Sequence, residues 1–200
     1  KLPDELSTAI NLSKEHNPNI KIAQIELSQS KKDVAIAETD LKPTATLSLE
    51  RSYSDDISAT YDEREKDVLK ATVSWPFYSG GSKKAKINKN SNLTSRKRLL
   101  LEDAIRSSET DIGSAWSSLE ASKSFLNSVR AQVKAAKIAN EGISAEYERG
   151  SRTTLDVIQS NSLLLTAKIS LAESERNNLI AQYNLLKAIG LLNSDYLKLK

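Results

Sequence analysis

One histidine, His16, and no cysteine in 200 residues leave nucleophilic and metal chemistry almost without material. Thiol catalysis, disulfides and Cys-based zinc sites are excluded outright. His16 has no second histidine and no clustered carboxylate pair with which to hold a metal. It lies in the helix-end phrase "EHNPN", where no Ser-His-Asp arrangement can be read. The glycine pair of "SGG" lacks the rest of a phosphate loop. A basic run, "KKAKINKN" at 83–90 with "RKR" at 96–98, has no aromatic platform for nucleic-acid bases, and a net charge of +3 is too small to draw a polyanion. Asp156 stands three residues after Thr153, the spacing of a capping box. With no convergent set of titratable groups, the chain reads as no enzyme, with no cofactor and no metal.

The elements around these residues are long helices. Aromatics are only 5% of the chain, too few for a large central core, while Ala, Ser, Leu, Lys and Asn suit helices packed in thin layers. Residues 4–16 read as a short amphipathic helix. Asn17 is suited to cap a second helix with Pro18 at its first position, running to about Leu41 before Pro43 stops it. From about Ser82 to Arg149 no proline interrupts, and roughly 65 residues of helix span ~100 Å. Ile105, Ser108, Ile112, Ala115, Leu119, Ser122, Leu126, Val129, Val133, Ala136, Asn140, Ile143 and Tyr147 alternate spacings of three and four, a coiled-coil seam. Gly150 suits a C-terminal cap. A last helix, 154 to about 190, carries the same spacing in Leu155, Ile158, Ser162, Leu165, Ile169, Ala172, Arg176, Leu179, Tyr183 and Leu186, and is expected to return antiparallel beside the long one. Gly190 ends it. No apolar run is long enough for a transmembrane helix. The chain starts at Lys1 without an initiator methionine or a signal peptide, which reads as a processed chain or a fragment.

Two short stretches break this helical pattern. In "TATLSLERSY", 44–53, Ala45, Leu47 and Leu49 alternate with Thr46, Ser48 and Glu50. In "VLKATVSWPFYSGG", 68–81, Leu69, Ala71, Val73, Trp75 and Phe77 alternate with Lys70, Thr72 and Ser74. Both have strand periodicity with one apolar face. The polar segment 54–67 between them reads as a solvated loop. Each strand is about ten residues, the length of a tilted membrane-spanning strand. A lone hairpin is marginal in water. It can instead be one share of a barrel closed by several copies, with Leu47, Leu49, Leu69, Val73, Trp75 and Phe77 facing lipid and Thr46, Ser48, Thr72 and Ser74 facing a wet lumen. Trp75, Phe77 and Tyr78 then belong to an aromatic girdle, and the basic run just beyond it can meet lipid head groups or lie as a plain solvated helix face. The alternative is a soluble periplasmic coiled-coil structural or adaptor protein whose hairpin packs on its own helices. Pattern alone leaves both open.

The order helix, strand, loop, strand, long helix, break, helix resembles the TolC-like outer-membrane efflux protein family. "HNPNIKIAQIELSQSKKDVAIAETDLKPTATLSLERSYS", "VSWPFYSGG" and "YERGSRTTLDVIQSNSLLLTAKISLAESERNNLIAQYNLLKAIGLL" carry the resemblance across nearly the whole chain. It implies helices of an α-barrel tunnel in the periplasm (1–42 and 79–192), an outer-membrane β-hairpin (43–78) and a C-terminal tail (193–200). It further implies a homo-oligomer, a trimer of two-repeat chains of which this is the second repeat, acting as a passive duct for drugs or polypeptides. A periplasmic adaptor, an inner-membrane pump and outer-membrane lipid are the implied partners. By the same resemblance, Tyr147, Arg152 and Asp156 fall at the family's periplasmic gate. Gln159 occupies its second acidic position, which weakens any acidic ring for cations.

Overall fold

The computed structural model describes residues 2–58 and 61–193, with side chains at all of these except 55–58 and 61–64. The elements are α1 (Leu6–His16), α2 (Pro18–Thr39), β1 (Thr44–Ser58), β2 (Tyr61–Ser74), α3 (Ser82–Glu148) and α4 (Thr154–Ile189). The fold is mainly helical with one two-stranded antiparallel sheet, as the periodicity requires. Two compact units divide the chain, one of residues 1–23 with 101–200 and one of residues 24–100.

In the first unit α4 runs back antiparallel along α3. Polar pairs fix the register: Asn178 Nδ2 donates to Ser122 Oγ at 3.1 Å, Arg130 meets Glu175 at 3.3 Å, and Asn140 Nδ2 donates to Ser160 Oγ at 3.2 Å and Asn161 Oδ1 at 2.8 Å. The core is small: Ala9, Ile112, Leu119, Ala181, Leu185 and Ile189. On α3 the expected seam packs inward from Ile105 to Ile143, and only its last member, Tyr147, is exposed. On α4 the expected seam is corrected. Leu155, Ile158, Leu165, Ile169 and Leu179 are exposed and only the last expected member, Leu186, is buried; the buried row is Ser160, Ala167, Ser174, Asn178, Ala181, Leu185 and Ile189. Leu165 and Ala167 are two residues apart, about 200° around a helix, so the large apolar row lies opposite the packed one. Both rows recur with the coiled-coil spacing, so periodicity cannot tell them apart. The small residues take the inner side because they let the two helix backbones approach closely.

In the second unit α2 and the first part of α3 are tied by polar side chains. Lys97 meets Glu26 at 2.8 Å and Lys86 meets Asp40 at 2.7 Å; Thr94 Oγ1 donates to the Ser30 carbonyl and Asn90 Nδ2 to that of Asp33. β1 and β2 pair from Thr44↔Ser74 to Ser58↔Tyr61, with an irregularity between Asp55 and Ser58. The strands therefore extend through most of the segment 54–67 expected to be loop. Strand pairing is made by the backbone, and polar side chains do not prevent it. At the other end β2 stops at Ser74, so Trp75 and Phe77 lie beyond the strand rather than on it. Pro76 has no N–H to donate to a ladder, and Gly80 and Gly81, both at positive φ, turn the chain into α3. Of the tail expected from 193, only Asn193 falls within the described residues.

Candidate functional site: a two-faced hairpin and a capped helical turn

The strand register sorts the hairpin side chains. Residues directly opposite one another share a face. Ala45 pairs with Val73, Leu47 with Ala71 and Leu49 with Leu69, giving one continuous apolar face. Thr44 pairs with Ser74, Thr46 with Thr72 and Ser48 with Lys70, giving a polar one. A one-residue slip in either strand would mix the two. Leu47, Leu49, Leu69 and Val73 are each 70–76% exposed, so nothing among the described residues covers the apolar face. It ends abruptly at the next pair, Arg51 and Asp67, where Arg51 holds Glu65 at 3.3 Å and Asp67 at 3.6 Å. Alternation alone does not report this charged border, because only the register shows that Arg51, Glu65 and Asp67 meet.

The turn between α3 and α4 is built by Gly150 and Thr153. Gly150 has φ +78, and the N–H groups of Gly150 and Ser151 return to the carbonyls of Tyr147 and Glu146, closing the last turn of α3. Thr153 and Asp156 form the expected capping box: Asp156 Oδ2 accepts from the Thr153 N–H at 2.9 Å and from Thr153 Oγ1 at 2.8 Å, and the Asp156 N–H donates to Thr153 Oγ1 at 3.3 Å. These bonds from Thr153, with a smaller contribution from the Arg152 charge, hold the Asp156 carboxyl below the ordinary carboxylate range. Arg152 Nε donates to Glu146 Oε2 at 2.7 Å, and this pairing raises the guanidinium further above its usual value. Glu146 is thus a member of the turn that the sequence reading passed over. Its spacing of six from Arg152 gives no signal until Gly150 folds the chain back. Tyr147 is 43% exposed, and among the described residues its hydroxyl has no partner. Asp156 and Gln159 border a groove between α3 and α4 that Ala135, Ala136, Ala139 and Ala167 help to line.

Among the described residues no group of histidine, cysteine or carboxylate side chains could hold a metal, and no helix is long and apolar enough to cross a membrane. What remains is a mainly helical protein bearing a β-hairpin of membrane length with one apolar, uncovered face. The sequence matches the outer membrane efflux protein family over residues 9–191. It is 30% identical to the outer membrane efflux protein BepC of Brucella suis over its whole length, covering 44% of that protein, and 28% identical to the outer membrane protein TolC of Escherichia coli K12 over 88% of its length, covering 38% of that one. The fold superposes on the Campylobacter jejuni CmeC outer membrane channel with a TM-score of 0.83 at 14% identity, covering 97% of this chain and 43% of that one. The chain belongs to the outer membrane efflux protein family. It spans less than half the length of the relatives it matches. The family is one of outer-membrane channels and not of enzymes, which places this chain at the outer membrane.

Proposed function

We propose that the protein contributes to a passive exit duct through the outer membrane. The hairpin supplies two strands of a barrel closed by other repeats, and the helices supply part of the wall of a periplasmic tunnel. The observation that carries this reading is the hairpin register, which gathers every large apolar side chain of β1 and β2 up to Leu49 and Leu69 on one uncovered face. In water that face is costly; against lipid tails it is at rest, while the Thr and Ser face meets an aqueous lumen. The exposed apolar row of α4 supports the same reading, since a wall one helix thick needs a neighbour on each flank of every helix. Closure as a trimer of two-repeat chains, engagement by an adaptor and an inner-membrane pump, and export of drugs or polypeptides are the finer parts of the proposal.

On this reading Tyr147, Arg152, Asp156 and Gln159 sit where the duct narrows. The Arg152–Glu146 pair and the Asp156 cap fix the turn geometry, and Asp156 brings one carboxylate from each copy of this repeat to the constriction. Gln159 brings none, so cation block is expected to be weak.

The test is the mass of the assembled protein under native conditions, with and without detergent. A detergent-dependent oligomer that conducts ions in planar bilayers is the expected result. A soluble monomer or dimer that ignores detergent would overturn the duct and restore the soluble coiled coil.

A further inference from the structure

Seven of the 29 basic residues and none of the 26 acidic ones fall within residues 79–101, so the rest of the chain is net acidic. This charge follows directly on three aromatic side chains that stand almost free: Trp75 is 68% exposed, Phe77 92% and Tyr78 83%. Within this unit α2 neutralises part of the basic set. Asp40 takes Lys86 in an ion pair and accepts from Lys83 through its backbone carbonyl, and Glu26 takes Lys97. Lys84 and Lys89 are exposed and form no ion pair among the described residues. Along the helix rise they lie about 3 Å and 10 Å from Ser82, the first residue of α3, four residues after Tyr78.

From this juxtaposition we infer that residues 75–89 form a recognition collar for anionic phospholipid, with Lys84 and Lys89 drawing phosphodiester head groups from two sides of the helix and the aromatic trio seated at the edge of the hydrocarbon. The inference rests on the membrane reading above and adds a lipid class and a leaflet, the one on the helical side of the hairpin. The physical division is ordinary: exposed Trp and Tyr rings suit the level of the head groups, where one end is apolar and the other wet. A lysine stem can lie along apolar surface while its ammonium reaches the phosphate. A zwitterionic head group carries its own ammonium and leaves these lysines without net attraction. An anionic one gains roughly fivefold in affinity per lysine near the surface.

The test uses the assembled protein purified in mild detergent. Native mass spectrometry follows retention of phosphatidylglycerol against phosphatidylethanolamine of the same acyl chains. Wild type is expected to prefer the anionic lipid by roughly 25-fold, K84Q/K89Q to lose most of that preference, and K84R/K89R to keep it. K134Q, which removes one exposed lysine elsewhere on α3, is expected to change nothing; the oligomer mass in each spectrum shows that every variant has assembled. Equal retention of both lipids by wild type, or an undiminished preference in K84Q/K89Q, overturns the collar and leaves the duct standing. Competition by inorganic phosphate at the lipid's own concentration would assign a simple anion site and overturn it as well. Failure to associate with any bilayer would remove the membrane reading and the collar together.

Discussion

A Cβ on Gly190 would lie 2.8 Å from the Cα of Asn17 and 2.8 Å from the carbonyl oxygen of His16. The end of α4 is thus pressed against the junction of α1 and α2, 173 residues away in sequence. Gly190 has φ +90 and its N–H returns to the carbonyls of Leu186 and Lys187, so it closes α4 in the left-handed conformation while leaving room for the opposing backbone. Asn17 is 7% exposed and answers from the other side. Its Oδ1 accepts from the Asn19 N–H at 2.9 Å, capping α2, and its Nδ2 donates to Ser108 Oγ at 3.1 Å and to the Ala188 carbonyl at 3.0 Å. One amide joins three helices at this buried node.

Gly190→Ala is therefore expected to be among the most damaging single-methyl changes in the chain. It combines an unfavourable φ with a backbone clash, and should lower stability by roughly 2–4 kcal/mol. Denaturant unfolding followed by helical circular dichroism measures it. An effect under 1 kcal/mol would mean that the contact relaxes freely.

Asn17→Ala loses the cap of α2 and strands the buried Ser108 hydroxyl and the half-buried Ala188 carbonyl, a cost of about 2–3 kcal/mol. Asn17→Asp keeps the cap acceptor but turns a donor into an oxygen facing the Ala188 carbonyl, so it should rescue little. If Asn17→Asp were as stable as wild type, the two donated bonds would carry no weight. Combined with Gly190→Ala, either change should be non-additive, because the two residues touch.

The capping box at Thr153 and Asp156 should be visible in pH dependence. The Asp156 pKa is depressed in the folded chain. Its contribution is fully present above the ordinary carboxylate value near 4 and is lost as pH falls through the lower folded value. Thr153→Ala should cost about 1 kcal/mol at neutral pH and flatten the acid limb of the stability curve. A duct constriction adds a second readout. Asp156→Asn removes charge and should lower cation selectivity in single-channel recordings, whereas Thr153→Ala keeps the charge and should leave selectivity alone. Equal selectivity in both variants would confine Asp156 to the cap.

The two hairpin faces should respond oppositely to the same substitution. Leu47→Arg puts a charge at the middle of the apolar face, which near a bilayer midplane costs about 2–4 kcal/mol, and should reduce assembled protein in the membrane fraction. Thr46→Arg, one residue away on the polar face, should assemble normally and alter conductance. Equal assembly of the two variants would mean that the apolar face does not meet lipid.

Leu165 and Ile169 on the outward row of α4 should matter to assembly more than to the single chain. A Leu165→Ser, Ile169→Ser double change touches none of the buried α3–α4 seam. Helix content should be kept while the oligomer dissociates at a lower temperature, read by native mass during heating. Unchanged oligomer stability would leave that row as plain solvent-facing surface.

Much of this protein was legible in its residues because the signals are local. Alternation by two wrote the hairpin, Pro18, Pro43, Gly150 and Gly190 punctuated the helices, and Thr153 with Asp156 announced a cap that needs only four consecutive residues. The seam of α3 was equally plain. Other features depend on which distant groups meet, and no spacing reports that. The α4 rows share one period, and only close approach to α3 decides that Ser160, Ala167 and Ser174 turn inward while Leu165 and Ile169 turn out. The strands' full reach toward Ser58 and Tyr61 follows from backbone pairing, which polar composition conceals. Glu146 reaches Arg152 only once Gly150 has folded the chain back, and Asn17 gains its partners only when α3 and α4 arrive beside it. Sequence therefore determined where the helices begin and end and which apolar rows they carry. Tertiary structure decided which stripe is buried, because that choice depends on the summed fit of two surfaces and not on the period of either.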